Sequence, residues 1–205
     1  MIALLLLLQV LAQFVLCVAL ADVLSGVVHW AEDGYGQPEW PLIGASIIAP
    51  NLLHHRQPRA FLANNWYRSA DVQLLVALWS ALVLLVVGWF TWRVVLVLAL
   101  VVNANELHKW AHRTKTENGR LITFLQEHHL IISRAAHGRH HGGQRDSHYC
   151  SITAWVNPLF DGLQVWRGLE AVIRVTTGVR PRLDPAVSRS RAVSAIPAIP
   201  GIPAS

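Results

Sequence analysis

Residues 2–21, IALLLLLQVLAQFVLCVALA, hold no charged side chain, and that run dominates what the chain can fold into. A bilayer hydrocarbon core takes about 20 apolar helical residues. A cleavable secretory signal would want basic residues ahead of a shorter apolar stretch. Nothing basic precedes this run, and the first charge after it is Asp22. It reads as a membrane anchor. A second apolar region, 72–107, is interrupted between Gly88 and Arg93. Its halves, 72–87 and 94–102, predict a helical hairpin turning at the interruption, with Trp89 and Trp92 in an interfacial aromatic belt. Of the 205 residues, 53% are hydrophobic and 14% charged, against about 25% charged in ordinary soluble domains. The expected fold class is an all-α integral membrane protein with about three transmembrane helices plus interfacial helices.

Charge placement sets the expected orientation. Lys and Arg number 17 against 12 Asp and Glu. Arg93 sits at the hairpin tip, and the rest fall at Arg56, Arg59, Arg68 and from Lys109 onward. The positive-inside rule then puts the N-terminus and hairpin tip outside and every histidine on the cytoplasmic side. The basic excess is thus topological and suits an anionic lipid surface; no nucleic-acid partner is expected. Segment 41–50, PLIGASIIAP, is too short to cross and reads as interfacial or re-entrant. Residues 121–136 carry apolar positions near helical spacing and read as an interfacial helix. Beyond Val179 the chain is rich in Pro, Ala and Ser without periodicity. Residues 1–178 are therefore expected to form one membrane-embedded domain and 179–205 a disordered tail. Cys17 and Cys150 can build neither a disulfide framework nor a CxxC zinc site.

The chemistry lies in 11 histidines, all between His29 and His148. They cluster as His29, the pair His54 and His55, the HxxxH of His108 and His112, the pair His128 and His129, and the HxxHH of His137, His140 and His141. His148 follows. Residues four apart share a helix face, so His108 and His112 are expected to point together from a helix continuing the third span. Gly138, Gly142 and Gly143 argue for an irregular backbone around His140. A lone interfacial histidine such as His128 or His148 is ordinarily a solvated side chain. Imidazoles gathered in number repel one another when protonated, and when neutral they are the commonest metal ligands in proteins. A structural zinc site takes four ligands, often cysteines, fewer than are on offer here. No HExxH zinc motif, methionine-rich copper pattern or ExxH di-iron bundle motif occurs. Imidazole suits iron, and two ions can share the multi-electron reduction of dioxygen. A histidine-rich iron pair at the membrane surface is the best candidate.

Several segments resemble one family in the family's own order. They are Asp22 to Asp33 (DVLSGVVHWAED), Leu53 to His55, His108 to His112 (HKWAH), Leu125 to His129 (LQEHH), His137 to His141 (HGRHH) and Tyr149 to Asn157 (YCSITAWVN). Together they resemble the lipid desaturase family of plasmanylethanolamine desaturases, the Kua or CarF type, over residues 22–180. Plant plastid desaturases of phosphatidylglycerol acyl chains belong to the broader group. The resemblance implies a membrane-embedded non-haem centre of two iron ions, with dioxygen as co-substrate. A membrane lipid would be the substrate, and a separate electron donor such as cytochrome b5 or ferredoxin would supply electrons. In the plasmalogen branch an alkyl ether becomes a vinyl ether; an acyl-chain desaturase or a hydroxylase is the close alternative.

Carried over by position, the metal-ligand candidates are His29, His54, His55, His108, His112, His129, His137, His140 and His141. Asp22 and Asp33 are candidates for groups that orient those ligands, though they also read as a boundary residue and a loop carboxylate. Asn157 is a candidate for a hydrogen bond to a ligand, or for the cap of a turn before Pro158. Two family histidines are replaced, one by Asn64 and one by Arg145, with His148 a possible substitute for the second. A competing class is a non-catalytic membrane protein, either a haem-binding electron carrier or a metal-binding remnant.

Overall fold

The computed structural model describes residues 1–142 and 146–182, all of the ordered elements among them helical. The fold is an all-α membrane protein. Helix α1 runs from Ile2 to Tyr35. Its 34 residues give a rod of about 51 Å at 1.5 Å per residue, whereas the hydrocarbon core is about 30 Å thick. The anchor expected over 2–21 is therefore only its first part. The remaining turns carry Asp22, Ser25, His29 and Asp33 beyond the apolar stretch on one continuous helix.

The expected hairpin is formed by α3 (Trp66–Val86) and α4 (Trp92–Val102). Asn65 caps α3 by accepting from the Arg68 amide, satisfying one of the amides a helix start leaves unpaired. The turn depends on Gly88, whose φ of +76° suits a residue without a Cβ. Small side chains let the spans approach: Ala70 and Ala77 pack with Val102, and Ala21 of α1 packs with Ala104 and Leu107. Outward-facing apolar side chains such as Leu7, Leu11, Leu78, Leu82 and Val95 are exposed, as a lipid-facing surface requires.

The third candidate span is a bent pair of helices. Helix α5 (Ala104–His112) continues α4 at an angle of 42°. Asn103 sits at the break; its Nδ2 donates to the Ala99 carbonyl and its Oδ1 accepts from Trp66 Nε1, both at 2.9 Å. A side chain competing for main-chain groups is a recognised cause of a kink.

Segment 41–50 is largely helical: a π-helical turn, Gly44–Ile48, runs directly into α2 (Ala49–Arg56), with Pro50 in the first turn of α2. Residues 121–136 are not the one helix expected. Helix α6 (Lys115–Glu127) ends, the chain turns through His129 at φ 57°, and α7 (Arg134–His141) begins under a Ser133 cap. Gln126 holds the turn by donating from Nε2 to the Ile132 carbonyl at 3.0 Å. Around His140 the backbone is regular helix despite Gly138. Two short helices, α8 (Asn157–Gly162) and α9 (Val165–Thr177), follow. Most of the expected tail, from residue 183, lies outside the described residues, as does Arg145.

A buried polar clamp ties the segment before α8 to α1. Asp22 Oδ1 accepts from the amides of Ile152 (3.0 Å) and Thr153 (2.9 Å), and Oδ2 accepts from Thr153 Oγ1 at 2.7 Å. Ser25 Oγ accepts from the Ser151 amide at 3.1 Å. Asn157 brackets Cys150, accepting from its amide and donating to its carbonyl, each at 3.0 Å. The bonds to the Asp22 carboxylate are of the charge-assisted kind, roughly twice as strong as neutral ones. The clamp needs Gly26: a Cβ there would lie 2.6 Å from Cys150 Sγ and 3.2 Å from its amide nitrogen. We expect Gly26→Ala to destabilise the protein by about 1–3 kcal/mol, lowering its melting temperature in detergent. Adding Cys150→Ala should recover part of the loss. A Gly26→Ala protein that melts with the wild type would contradict this packing.

Candidate metal centre

Four helices aim their histidines into one volume. Helix α1 contributes His29 and Asp33, four residues apart; α5 contributes His108 and His112 at the same spacing. The adjacent His54 and His55 come from α2, and His137, His140 and His141 come from α7. Their donor atoms sort into two groups. One holds His54, His108, His112, His137 and His141; the other holds His29, Asp33, His55 and His140. Within each group the ligand atoms lie within 4.8 Å of one another. Helices α2 and α7 serve both groups, because neighbouring positions on a helix diverge by about 100°. The groups adjoin: the rings of His54 and His55 are 4.5 Å apart, and those of His29 and His108 are 5.4 Å apart.

In the group of five, the Nε2 atoms form a chain of close contacts. His112 to His108 is 3.2 Å, His108 to His137 is 2.7 Å, His137 to His141 is 2.9 Å and His141 to His54 is 3.1 Å. Imidazole nitrogens bound to one ion at about 2.1 Å would stand about 3 Å apart at right angles, which matches. Phe61 closes this side, its ring centroid 5.2–5.4 Å from those of His54, His108 and His112. Burial, and then repulsion from neighbouring imidazoles, hold His54, His137 and His141 far below the ordinary imidazole range. They are neutral at pH 7, the form that ligates a metal.

The group of four fits a cation for a second reason. His29 donates its Nδ1–H to the Tyr149 carbonyl at 3.0 Å, and His140 donates its Nδ1–H to the Ser147 carbonyl at 2.8 Å. A neutral imidazole has a single proton, so both Nε2 atoms present lone pairs. They face Asp33 Oδ2 at 3.5 and 3.3 Å. None of these three buried atoms has a hydrogen-bond partner. Three acceptors turned on one point, with their protons committed elsewhere, make a ligand set for a positive ion. His54 is anchored the same way, its Nδ1–H donated to the Asn51 carbonyl at 2.8 Å.

The structure thus brings together eight of the nine histidines carried over from the sequence resemblance. His129 is not with them: it is exposed, and its carbonyl accepts from Trp155 Nε1 at 2.7 Å. His148 does not substitute for the lost position, since its Nδ1 lies 2.9 Å from Asp161 Oδ2, outside both groups. Asp33 stands among the ligand atoms rather than behind them. Asp22 and Asn157 act through the clamp, which sets the Tyr149 carbonyl against His29. Sequence reasoning passed over Lys109. Buried on α5, its ammonium pairs with Glu106 and donates to the Asn64 carbonyl at 2.9 Å. That contact ties the Phe61 turn to the helix bearing His108.

A family model described as the lipid desaturase domain matches residues 18–184. The chain belongs to the lipid desaturase family. It is 30% identical over 189 residues to mouse plasmanylethanolamine desaturase 1, covering 80% of this chain and 65% of the mouse protein. It is 32% identical over 176 residues to a protein of Acanthamoeba polyphaga mimivirus named "Probable fatty acid desaturase", covering 83% of this chain and 85% of that one. With Arabidopsis thaliana fatty acid desaturase 4, chloroplastic, it shares 34% over 167 residues, 80% of this chain and 51% of the relative. The chain therefore spans less than two thirds of the mouse and Arabidopsis relatives. No solved structure matches.

Both groups are tested by counting ions. The purified protein should bind two divalent ions per chain by elemental analysis. His108→Ala and His140→Ala should each lower that number toward one, and His129→Ala should leave it at two. Loss of ions on replacing His129, or two ions retained in both other variants, would refute the grouping.

Proposed function

We propose that this family member is an oxygen-dependent membrane lipid desaturase, with a non-haem iron in each histidine group, acting as a plasmanylethanolamine desaturase. The observation that carries the reading is the pair of adjoining ligand sets at the ends of the membrane-spanning helices. When bound, two irons would supply the oxidising chemistry that breaks unactivated C–H bonds. The overall change removes two hydrogens from the alkyl ether carbons beside the glycerol oxygen. One dioxygen, two electrons and two protons are consumed, and two waters leave.

The protein's part is positioning and exclusion. Neutral, buried imidazoles ligate without protons to release. The carbonyls of Tyr149, Ser147 and Asn51 fix three rings in one tautomer, which holds a ligand's lone pair in place. Phe61 and the buried packing around α5 keep water from the group of five, protecting an oxidant from side reactions. The lipid-facing surfaces of α1, α3 and α4 bring the substrate's chains to the depth of the site. By the distribution of Lys and Arg, the site faces the cytoplasm and the N-terminus lies outside. Electrons would come from a separate one-electron carrier such as cytochrome b5 or ferredoxin.

The 34% identity to the Arabidopsis desaturase supports a second reading, in which a fatty acyl chain of a membrane lipid is the substrate. Expression in a host that makes ether phospholipids but no plasmalogens separates the two. The ether reading predicts acid-labile lipids two hydrogens lighter than their alkyl precursors, lost in His108→Ala and His140→Ala. An acyl chain lighter by two hydrogens would select the second reading. A gain of one oxygen would indicate a hydroxylase. Unchanged lipids with both irons bound would refute desaturation of either kind in that membrane.

A further inference from the structure

Asn51 lies in the first turn of α2, three residues before His54 and four before His55. Its two polar ends serve different ligand groups. The main-chain carbonyl accepts the Nδ1–H of His54, a member of the group of five, at 2.8 Å. The side-chain Nδ2 donates to Asp33 Oδ1, in the group of four, at 2.7 Å. This is the shortest contact that carboxylate makes: His55 Nε2 stands 3.0 Å from Oδ1, and His140 and His29 stand 3.3 and 3.5 Å from Oδ2.

A carboxylate on a helix turns readily about its terminal torsion, which is broad and roughly two-fold. Something must select the rotation that aims Oδ2 at the Nε2 atoms of His29 and His140. Among the contacts of Asp33, Asn51 is the amide donor suited to that task, since it takes Oδ1 and leaves the lone pairs of Oδ2 pointing inward. Amide nitrogen is a donor only, so Asn51 cannot hold the ion through the atom that touches Asp33. We propose that Asn51 is a positioning residue whose side chain orients Asp33, setting the ion affinity of the group of four independently of the group of five. The independence follows from the second bond: any residue at 51 supplies the carbonyl that anchors His54. The proposal rests on the reading that both groups hold ions.

Its test is a Co(II) titration of the full-length chain, purified metal-free in lipid nanodiscs and followed by the visible ligand-field bands. The wild type should take up two equivalents. Asn51→Leu keeps much of the shape and loses the donor, whereas Asn51→Ala loses both. Both variants should weaken one equivalent by about 10–100-fold, the range typical for groups that orient metal ligands. The other equivalent should be unchanged, which also shows that the variant has folded. If Asn51 only fills space, Asn51→Leu will bind like the wild type, and the proposal is overturned. Equal weakening of both equivalents overturns it as well. A wild type binding fewer than two cobalt ions would overturn the two-ion reading itself, and this inference with it.

Discussion

The structure turns on a surplus of lone pairs. Eight imidazoles and one carboxylate gather their ligand atoms around two adjoining points, and three of the rings have their proton committed elsewhere. His29, His54 and His140 give theirs to main-chain carbonyls. Burial then keeps His54, His137 and His141 from taking up a second proton. Unpaired buried acceptors are costly, and two cations would convert that cost into ligation. Ion binding and the folding of the site would in this sense be one process.

Several features of the fold hold those rings in place. The long α1 carries its ligand pair past the apolar stretch without a joint. The bend at Asn103 redirects the third span so that His108 and His112 face the same volume. The Asp22 clamp reaches across some 130 positions of sequence to set a carbonyl behind His29. Helix α7 has no apolar span of its own, yet it supplies three histidines, two to one group and one to the other. A short helix lying between two ligand sets can do this because its successive side chains fan out around the axis.

Part of this was legible in the sequence. The anchor, the hairpin and its turn follow from hydropathy and from Gly88. The HxxxH of α5 and the HxxHH of α7 follow from helical spacing. The division into two groups was hidden, because it depends on how four helices cross, which no local pattern encodes. Asp33 looked like a loop carboxylate because the apolar run ends well before it, although the helix does not. Glycines near His140 argued for irregularity, but a helix of eight residues tolerates Gly138 once its ligand side chains are packed. At His129 the sequence pattern and the placement part company. It shares the His-His pattern of His54 and His55, yet it sits on a left-handed turn that points it to solvent rather than on a helix between the groups.

The most direct test of this account is an anomalous difference map from crystals of the iron-loaded protein. It should show two peaks per chain, one among His54, His108, His112, His137 and His141 and one among His29, Asp33, His55 and His140. A single peak, or iron bound at the exposed pair His128 and His129, would contradict the two-ion centre on which the proposed chemistry depends.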